Sequence, residues 1–199
     1  MADLIYFPQR GYGVLPVDDC PYDEIYFKHF EQVSDTRQGR ELNRRRVEFV
    51  ERFRDGQILC DVGVGTGAFL SQCSKPWVGY DIAEVPCSWL RKRGAFFDIS
   101  EKPIGVATLW DSIEHMDIAE ATKVLGNVMG LCFLSTPIYE SADAMPHSKH
   151  FKPGEHILYF TDRGLLTFMR ARGWRLIARS NLEVECGREG IGTFAFERC

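Results

Sequence analysis

The stretch Gln57-Ile58-Leu59-Cys60-Asp61-Val62-Gly63-Val64-Gly65-Thr66-Gly67-Ala68 decides the fold. Its first half is a short apolar run ending in an acid, as expected of a strand in the middle of a parallel sheet. Its second half sets glycine at alternate positions and leads into Ala68–Cys73, which reads as the start of a helix. Glycines let the chain turn sharply, and without side chains they let a ligand approach the backbone. Asp81 closes the next apolar run, Trp77–Asp81. A carboxylate there can accept hydrogen bonds from both ribose hydroxyls, and in open α/β sheets ligands lie beyond the carboxyl ends of the strands.

Outward from this unit, short apolar runs alternate with helical patterns. Val85–Arg93 predicts a helix, Ala95–Asp98 a short third strand, Val106–Trp110 a fourth strand, and Ile118–Met129 a helix. Leu131–Thr136 predicts a fifth strand, and Thr161 caps a helix reaching Arg172 and ended by Gly173. Trp174–Ile177 and Thr193–Glu197 close the chain as two strands joined so directly that they must be antiparallel. The polar segment from Pro137 to His156 is too long for a routine connection and reads as functional or mobile. On the other side, residues 1–19 read as irregular. Tyr22, Ile25, Tyr26, Phe30 and Val33 mark one helix, and Asp35-Thr36 caps a second that runs to about Phe53. The expected architecture is α/β, a doubly wound, mostly parallel sheet with helices on both faces. Residues 1–54 form an N-terminal helical cap and residues 55–199 the ligand-binding domain.

With 45% hydrophobic and 26% charged residues and a formal net charge of -4, nothing in the composition demands a nucleic-acid or membrane partner. The second helix is rich in arginine (Arg37, Arg40, Arg44, Arg45, Arg46, Arg52, Arg54), but Glu41, Glu48 and Glu51 dilute the charge and favour a solvated face. The seven cysteines are odd in number, scattered, and form no Cys-x-x-Cys pair. They argue against a disulfide framework and for a reducing, cytoplasmic setting. No signal peptide or membrane span is expected.

Gly63-x-Gly65-x-x-Ala68 also satisfies a dinucleotide fingerprint, so a nicotinamide enzyme and a glycine turn without a ligand both stay open on residue chemistry alone. The dehydrogenase reading lacks a Tyr-x-x-x-Lys pair and leaves no residues for a substrate domain. The ordered set of motifs resembles class I methyltransferases. Asp61-Val-Gly63-Val-Gly65-Thr-Gly67 looks like that family's first motif, Val78–Asp81 its second, and Phe96–Ile99 its third. Val106–Met116, Phe133–Pro137, and Gly154-Glu155-His156 with Tyr159-Phe160-Thr161 are similar to segments of the small-molecule group, type 11/12 and ubiquinone-biosynthesis-like. The resemblance implies a seven-stranded sheet with its last strand antiparallel, and S-adenosyl-L-methionine as cofactor.

It further implies a cofactor site of Asp61, Gly63, Gly65, Gly67, Asp81, Ile82, Asp98, Ile99 and Trp110, with Asp98 facing the adenine amino group. The implied reaction is methylation of an oxygen or nitrogen of a small-molecule acceptor. A cofactor-binding domain without transferase activity, or a transferase acting on nucleic acid or protein, are the alternatives. Candidate proton acceptors are Asp111, Glu114 and His115 after the fourth strand, and His147, His150, Glu155 and His156 in or beside the long loop. Asp111, His115 and His156 are the expected catalytic groups. His147-x-x-His150 with His156 is not a standard zinc spacing, and no metal is expected. Tyr22, Tyr26, Phe27 and Phe30 either pack on the core or wall the site.

Overall fold

The computed structural model describes residues 4–16 and 24–199. The expectations for Tyr22 and Cys20 lie outside the described residues. The central sheet is built from β3 (Leu59–Val62), β4 (Trp77–Tyr80), β5 (Ile104–Trp110), β6 (Val128–Tyr139), β8 (Trp174–Ser180) and β9 (Ile191–Arg198). Here β1 (Ile5–Phe7), β2 (Tyr12–Val14) and β7 (Leu158–Thr161) form a smaller ribbon. In the central sheet β4, β3, β5 and β6 pair in parallel in that order. The last strand, β9, is antiparallel to both β6 and β8 and lies between them.

Two helix sets cover the sheet, and the two-residue period of the strands decides which side chain meets which set. Cys60, Ala107, Leu109, Cys132 and Leu134 share a core with α4 (Ile118–Asn127) and α5 (Asp162–Arg170). Their strand neighbours Leu59, Val106, Trp110 and Phe133 pack with α2 (Arg37–Arg54), α3 (Glu84–Arg91) and α6 (Leu182–Glu185). On α2, Phe49 stands edge-on to Phe133 with ring centroids 5.9 Å apart. The remaining helix, α1 (Glu24–Ser34), precedes α2. Thr36 caps α2 by accepting from the Gly39 N–H at 3.0 Å, and Thr161 caps α5 by accepting from Gly164. Among the described residues no helix is long and apolar enough to cross a membrane.

Three local expectations change. The third strand contracts to one bridge between Phe96 and Gly79, because the Asp98 carboxylate accepts from the Ser100 N–H and turns the chain away. The helix expected from Ala68 is a single 3₁₀ turn, Leu70–Gln72, since β4 begins only five residues later. The segment read as irregular contains the hairpin β1–β2, whose second strand pairs with β7, and β7 pairs in parallel with the end of β6. Tyr12 anchors that hairpin against Phe160 and Phe168. The Gly11 carbonyl approaches Gly164 so closely that a Cβ there would fall 1.8 Å from it. The long connection after β6 is packed as well. Met145 is buried in a small core with Leu15, Tyr139 and Tyr159, and the Tyr139 hydroxyl donates to the His150 carbonyl at 2.8 Å.

Candidate functional site

The glycine loop leaves β3 at the carboxyl edge of the sheet. Gly63, Gly65 and Gly67 all have positive φ, at 79°, 56° and 76°. They differ in what surrounds them. A Cβ on Gly63 would lie 2.3 Å from Ser112 Oγ, and one on Gly67 would enter the Trp89 ring. Gly65 has no atom within 4 Å of its missing Cβ, so it faces open space.

That space is a cleft with two lobes, of about 250 and 120 Å3, which share Tyr26, Phe27, Gly63, Gly65, Asp111 and His115. Asp81 and Ile82 line the second lobe with Tyr80, Met116 and Glu120. Asp81 braces the loop, one oxygen accepting from the Gly65 N–H at 3.0 Å and the other from Ala83 at 2.9 Å. Burial raises its carboxyl above the ordinary range, against those backbone bonds. Asp61 and Trp110 both line the first lobe. Burial pushes the Asp61 carboxyl up to about 7, opposed by the Thr108 hydroxyl that donates to it at 2.6 Å and by the charge of Arg46.

Not every expected residue reaches the cleft. Asp98 and Ile99 line neither lobe. Ile99 is fully buried in the core under α4, so its side chain has no face left for a ligand. Gly67 lines neither lobe and serves the close contact with Trp89. Tyr26 and Phe27 line both lobes and Phe30 the first, so the aromatic residues of α1 wall the cleft.

Asp111 follows β5 directly in the left-handed region, with φ 52°, where aspartate is tolerated at a cost. One of its oxygens accepts from Arg46 at 2.8 Å and from Arg188 at 2.9 Å. Both guanidinium groups also donate to Glu183, which is 0% exposed. Two arginines and two carboxylates thus close a partly buried ring that joins α2, the end of β5 and α6. Burial would raise the Asp111 carboxyl, but Arg188 and Arg46 hold it well below the usual carboxylate range. Asp111 is thereby held as a carboxylate between two guanidinium groups. Its other oxygen is buried without a hydrogen-bond partner.

Arg46 also corrects the reading of α2 as a solvated face. It is 6% exposed, with its guanidinium 5.0 Å from the Trp110 ring centroid. The signal was available: Asn43, Arg46, Phe49 and Val50 follow helical spacing, so a charge sits on the apolar face. Arg44 and Arg45 behave as expected, exposed or nearly so and paired with Glu41, Glu48 and Glu185. Glu183 carried no sequence signal.

Past Asp111, the His115 and His156 rings meet edge to face, with centroids 4.8 Å apart. The His115 Nδ1 lies 3.0 Å from the Glu155 carbonyl. Burial lowers both imidazoles, His156 to about 3, so both are neutral at physiological pH. The His156 Nδ1 and Glu114 Oε2 are buried without hydrogen-bond partners. Burial and the nearby Asp111 raise the Glu114 carboxyl. Glu114, His115 and His156 each present a ligand atom within 4.8 Å of the others, a set able to hold one cation. Of the other loop histidines, His150 lies within 2.7 Å of the Glu189 carbonyl and lines the first lobe.

The fold has counterparts among solved structures. Structures similar to this one include magnesium protoporphyrin IX methyltransferase from Synechocystis with bound S-adenosylhomocysteine. It is 13% identical with a TM-score of 0.63 over 89% of this chain and 96% of that one. An amino pentose methyltransferase from Micromonospora echinaspora with bound S-adenosylmethionine is 14% identical, with a TM-score of 0.59 over 91% and 99%. A 1,6-didemethyltoxoflavin-N1-methyltransferase from Burkholderia thailandensis is 17% identical, with a TM-score of 0.54 over 99% of both chains. No curated protein matches the chain in a sequence search. The family model described as a methyltransferase domain matches residues 34–179. With that match over most of its length, and with the sheet order and glycine loop described above, the chain belongs to the methyltransferase-domain family.

Proposed function

We propose that the cleft binds S-adenosylmethionine and that the chain transfers its methyl group to an oxygen or nitrogen of a small-molecule acceptor. Gly65 carries this reading: a left-handed backbone position opening on empty space, with Asp81 fastened to its N–H. The three neighbours named above are methyltransferases whose names specify a porphyrin, an amino pentose and a toxoflavin precursor, which supports a small acceptor.

Gly63, Gly65, Asp81 and Ile82 would hold the nucleoside, and Asp61 and Trp110 the amino-acid part. S-adenosylmethionine supplies a methyl group activated by a sulfonium cation. The chain's own work is to align donor and acceptor, exclude water and remove a proton where the acceptor carries one. His156, neutral and with an unpartnered Nδ1, takes that proton, and His115 packs against it. The ring of Arg46, Asp111, Glu183 and Arg188 keeps the end of β5 in place. Of the N-terminal segment, α1 covers the cleft and α2 is fastened through Arg46. Among the described residues six cysteines are free and four of these are buried, which supports a cytoplasmic protein.

Titration calorimetry with S-adenosylhomocysteine tests the binding claim. Saturable binding to the wild type and loss of binding in Asp81→Ala, with circular dichroism unchanged, is the expected result. Unchanged affinity in Asp81→Ala would remove the site. Transfer of labelled methyl into a metabolite extract separates an enzyme from a binding domain.

A further inference from the structure

We propose that Glu114, His115 and His156 form a site for one divalent transition cation, of the Zn2+ and Co2+ class, in the wall of the first lobe. The inference goes beyond the cofactor reading and does not depend on it. Glu114 and His115 stand on the 3₁₀ turn Ile113–His115 that follows β5, and His156 precedes β7. The Ile157 N–H donates to the Glu114 carbonyl at 2.7 Å and ties the two segments together. All three side chains line the first lobe, and each presents a ligand atom within 4.8 Å of the others. The set makes no use of the His147-x-x-His150 spacing. The fold assembles it from two segments distant in the chain, so the sequence expectation of no metal rested on other residues.

Two of the three are buried with an atom left over. His156 is 4% exposed and its Nδ1 has no hydrogen-bond partner, while the His150 carbonyl bears on the same ring. Glu114 is 2% exposed, and its Oε2 has no partner either, although the Thr136 hydroxyl and the residue's own backbone N–H stand near the carboxyl. Polar atoms withdrawn from water and left unmatched are costly, and a cation satisfies both at once. The His115 Nδ1 lies 3.0 Å from the Glu155 carbonyl, which can only accept, so Nδ1 carries the ring proton and Nε2 the lone pair. Carbonyl contacts of this kind orient metal-bound imidazoles. Two imidazoles and one carboxylate are the ligand set of open zinc sites, whose fourth position is left to solvent or substrate. Tetrahedral ligand atoms at about 2.1 Å from the ion stand ~3.4 Å apart, so loading closes the set by no more than about 1.4 Å, within reach of side-chain rotation. Imidazole donors select against Mg2+ and Ca2+, which take oxygen ligands. The His156 lone pair cannot hold a cation and a proton together, so loading and proton transfer through His156 are alternative states of the lobe.

The test is calorimetric titration of the full chain, stripped with EDTA, with ZnCl2, CoCl2 and MgCl2. One equivalent of Zn2+ should bind with a Kd of about 1 μM or below and raise the Tm of the wild type, and Mg2+ should do neither. Bound Co2+ should give the intense visible bands of a tetrahedral ion without a thiolate charge-transfer band, which separates this set from the cysteines. His156→Ala and Glu114→Gln should each weaken Zn2+ binding by at least about tenfold. His147→Ala, a loop histidine that lines neither lobe, should leave it unchanged. Circular dichroism checks that the variants fold, and the Co2+ spectrum of the wild type reads the ligand types even where a buried substitution does not. Absence of Zn2+ and Co2+ binding, equal binding of Mg2+, or a thiolate band overturns the proposal. So does an affinity unchanged in both Glu114→Gln and His156→Ala, or lost in His147→Ala. S-adenosylhomocysteine titrated into the same protein keeps the two readings apart. If it binds and Zn2+ does not, this inference alone fails; if Zn2+ binds and it does not, the cofactor reading falls and the cation site stands.

Discussion

Replacing Glu183 with glutamine removes one corner of the partly buried ring and leaves the other three. Glu183 is 0% exposed and receives Arg46 at 2.8 Å through Nε and 2.7 Å through Nη2, besides Arg188. Breaking one member out of a buried ion pair costs about 3–5 kcal/mol, because the remaining charge stays out of water. Two features place this case at the lower end. Asp111 still binds both guanidinium groups, and the Arg188 side chain is 33% exposed and can recruit solvent. The expected loss is about 3 kcal/mol, or about 6–12 °C in Tm for a chain of this length. Thermal unfolding followed by circular dichroism at neutral pH measures it. Added salt should reduce but not abolish the difference between the two proteins, since Glu183 and Arg46 are buried while Arg188 and Asp111 are partly exposed. The double variant Glu183→Gln with Arg188→Gln removes one charge of each sign and should regain about 1 kcal/mol over the single variant. A Tm for Glu183→Gln within about 1 °C of the wild type, or a double variant no better than the single, would refute the reasoning.

Three other outcomes follow from the same geometry. Gly65→Ala should fold with a loss of about 1–2 kcal/mol from its left-handed φ alone, yet weaken S-adenosylhomocysteine binding by tenfold or more (on the order of one blocked contact), whereas Gly63→Ala should destabilise more through its clash with Ser112. Melting curves and calorimetry on both variants separate strain from blocked space, and equal affinity in Gly65→Ala and wild type would contradict the placement. S-adenosylmethionine affinity should rise roughly tenfold from about pH 5.5 to about pH 7. A bound cation favours ionised Asp61, whose carboxyl stands at about 7 in the empty protein, so binding releases a proton below that pH. The empty protein shows the opposite sign: protonated Asp61 stabilises the fold at low pH, and that contribution is lost as pH rises through about 7. A flat affinity profile by calorimetry would count against Asp61 facing the cation. Thr161→Ala should cost about 1 kcal/mol as a lost cap of α5, more if its hydroxyl bond to the Gly11 carbonyl matters, and a Tm unchanged by the substitution would deny both roles.

The glycine loop shows what local sequence determines here. Apolar strands followed by Gly63, Gly65 and Gly67, the acids Asp61 and Asp81, and the Thr36 and Thr161 caps act over a few residues, so periodicity and spacing were enough to place them. The doubly wound sheet and its antiparallel last strand were legible for the same reason. Tertiary structure decided the rest. The hairpin β1–β2 consists of two three-residue strands and is held by β7, about 150 positions away. Its short strands carry too little periodicity to announce themselves, and they are held by pairing with β7 and by Tyr12 meeting Phe160 and Phe168.

The chemistry of the acids was decided in the same way. Asp61, Asp98 and Asp111 all stand at or just past the end of an apolar run and look alike in sequence. Folding buries Asp61 beside Thr108, spends Asp98 on a turn, and sets Asp111 between two arginines from α2 and from the turn after α6. A carboxylate's proton affinity depends on the charges and solvent within a few ångströms, and those neighbours come from segments up to 77 residues distant. Sequence alone therefore determined where the ligand-binding edge of the sheet lies. Which acid can take a proton, and which can only hold the site together, was decided by what the fold brought beside it.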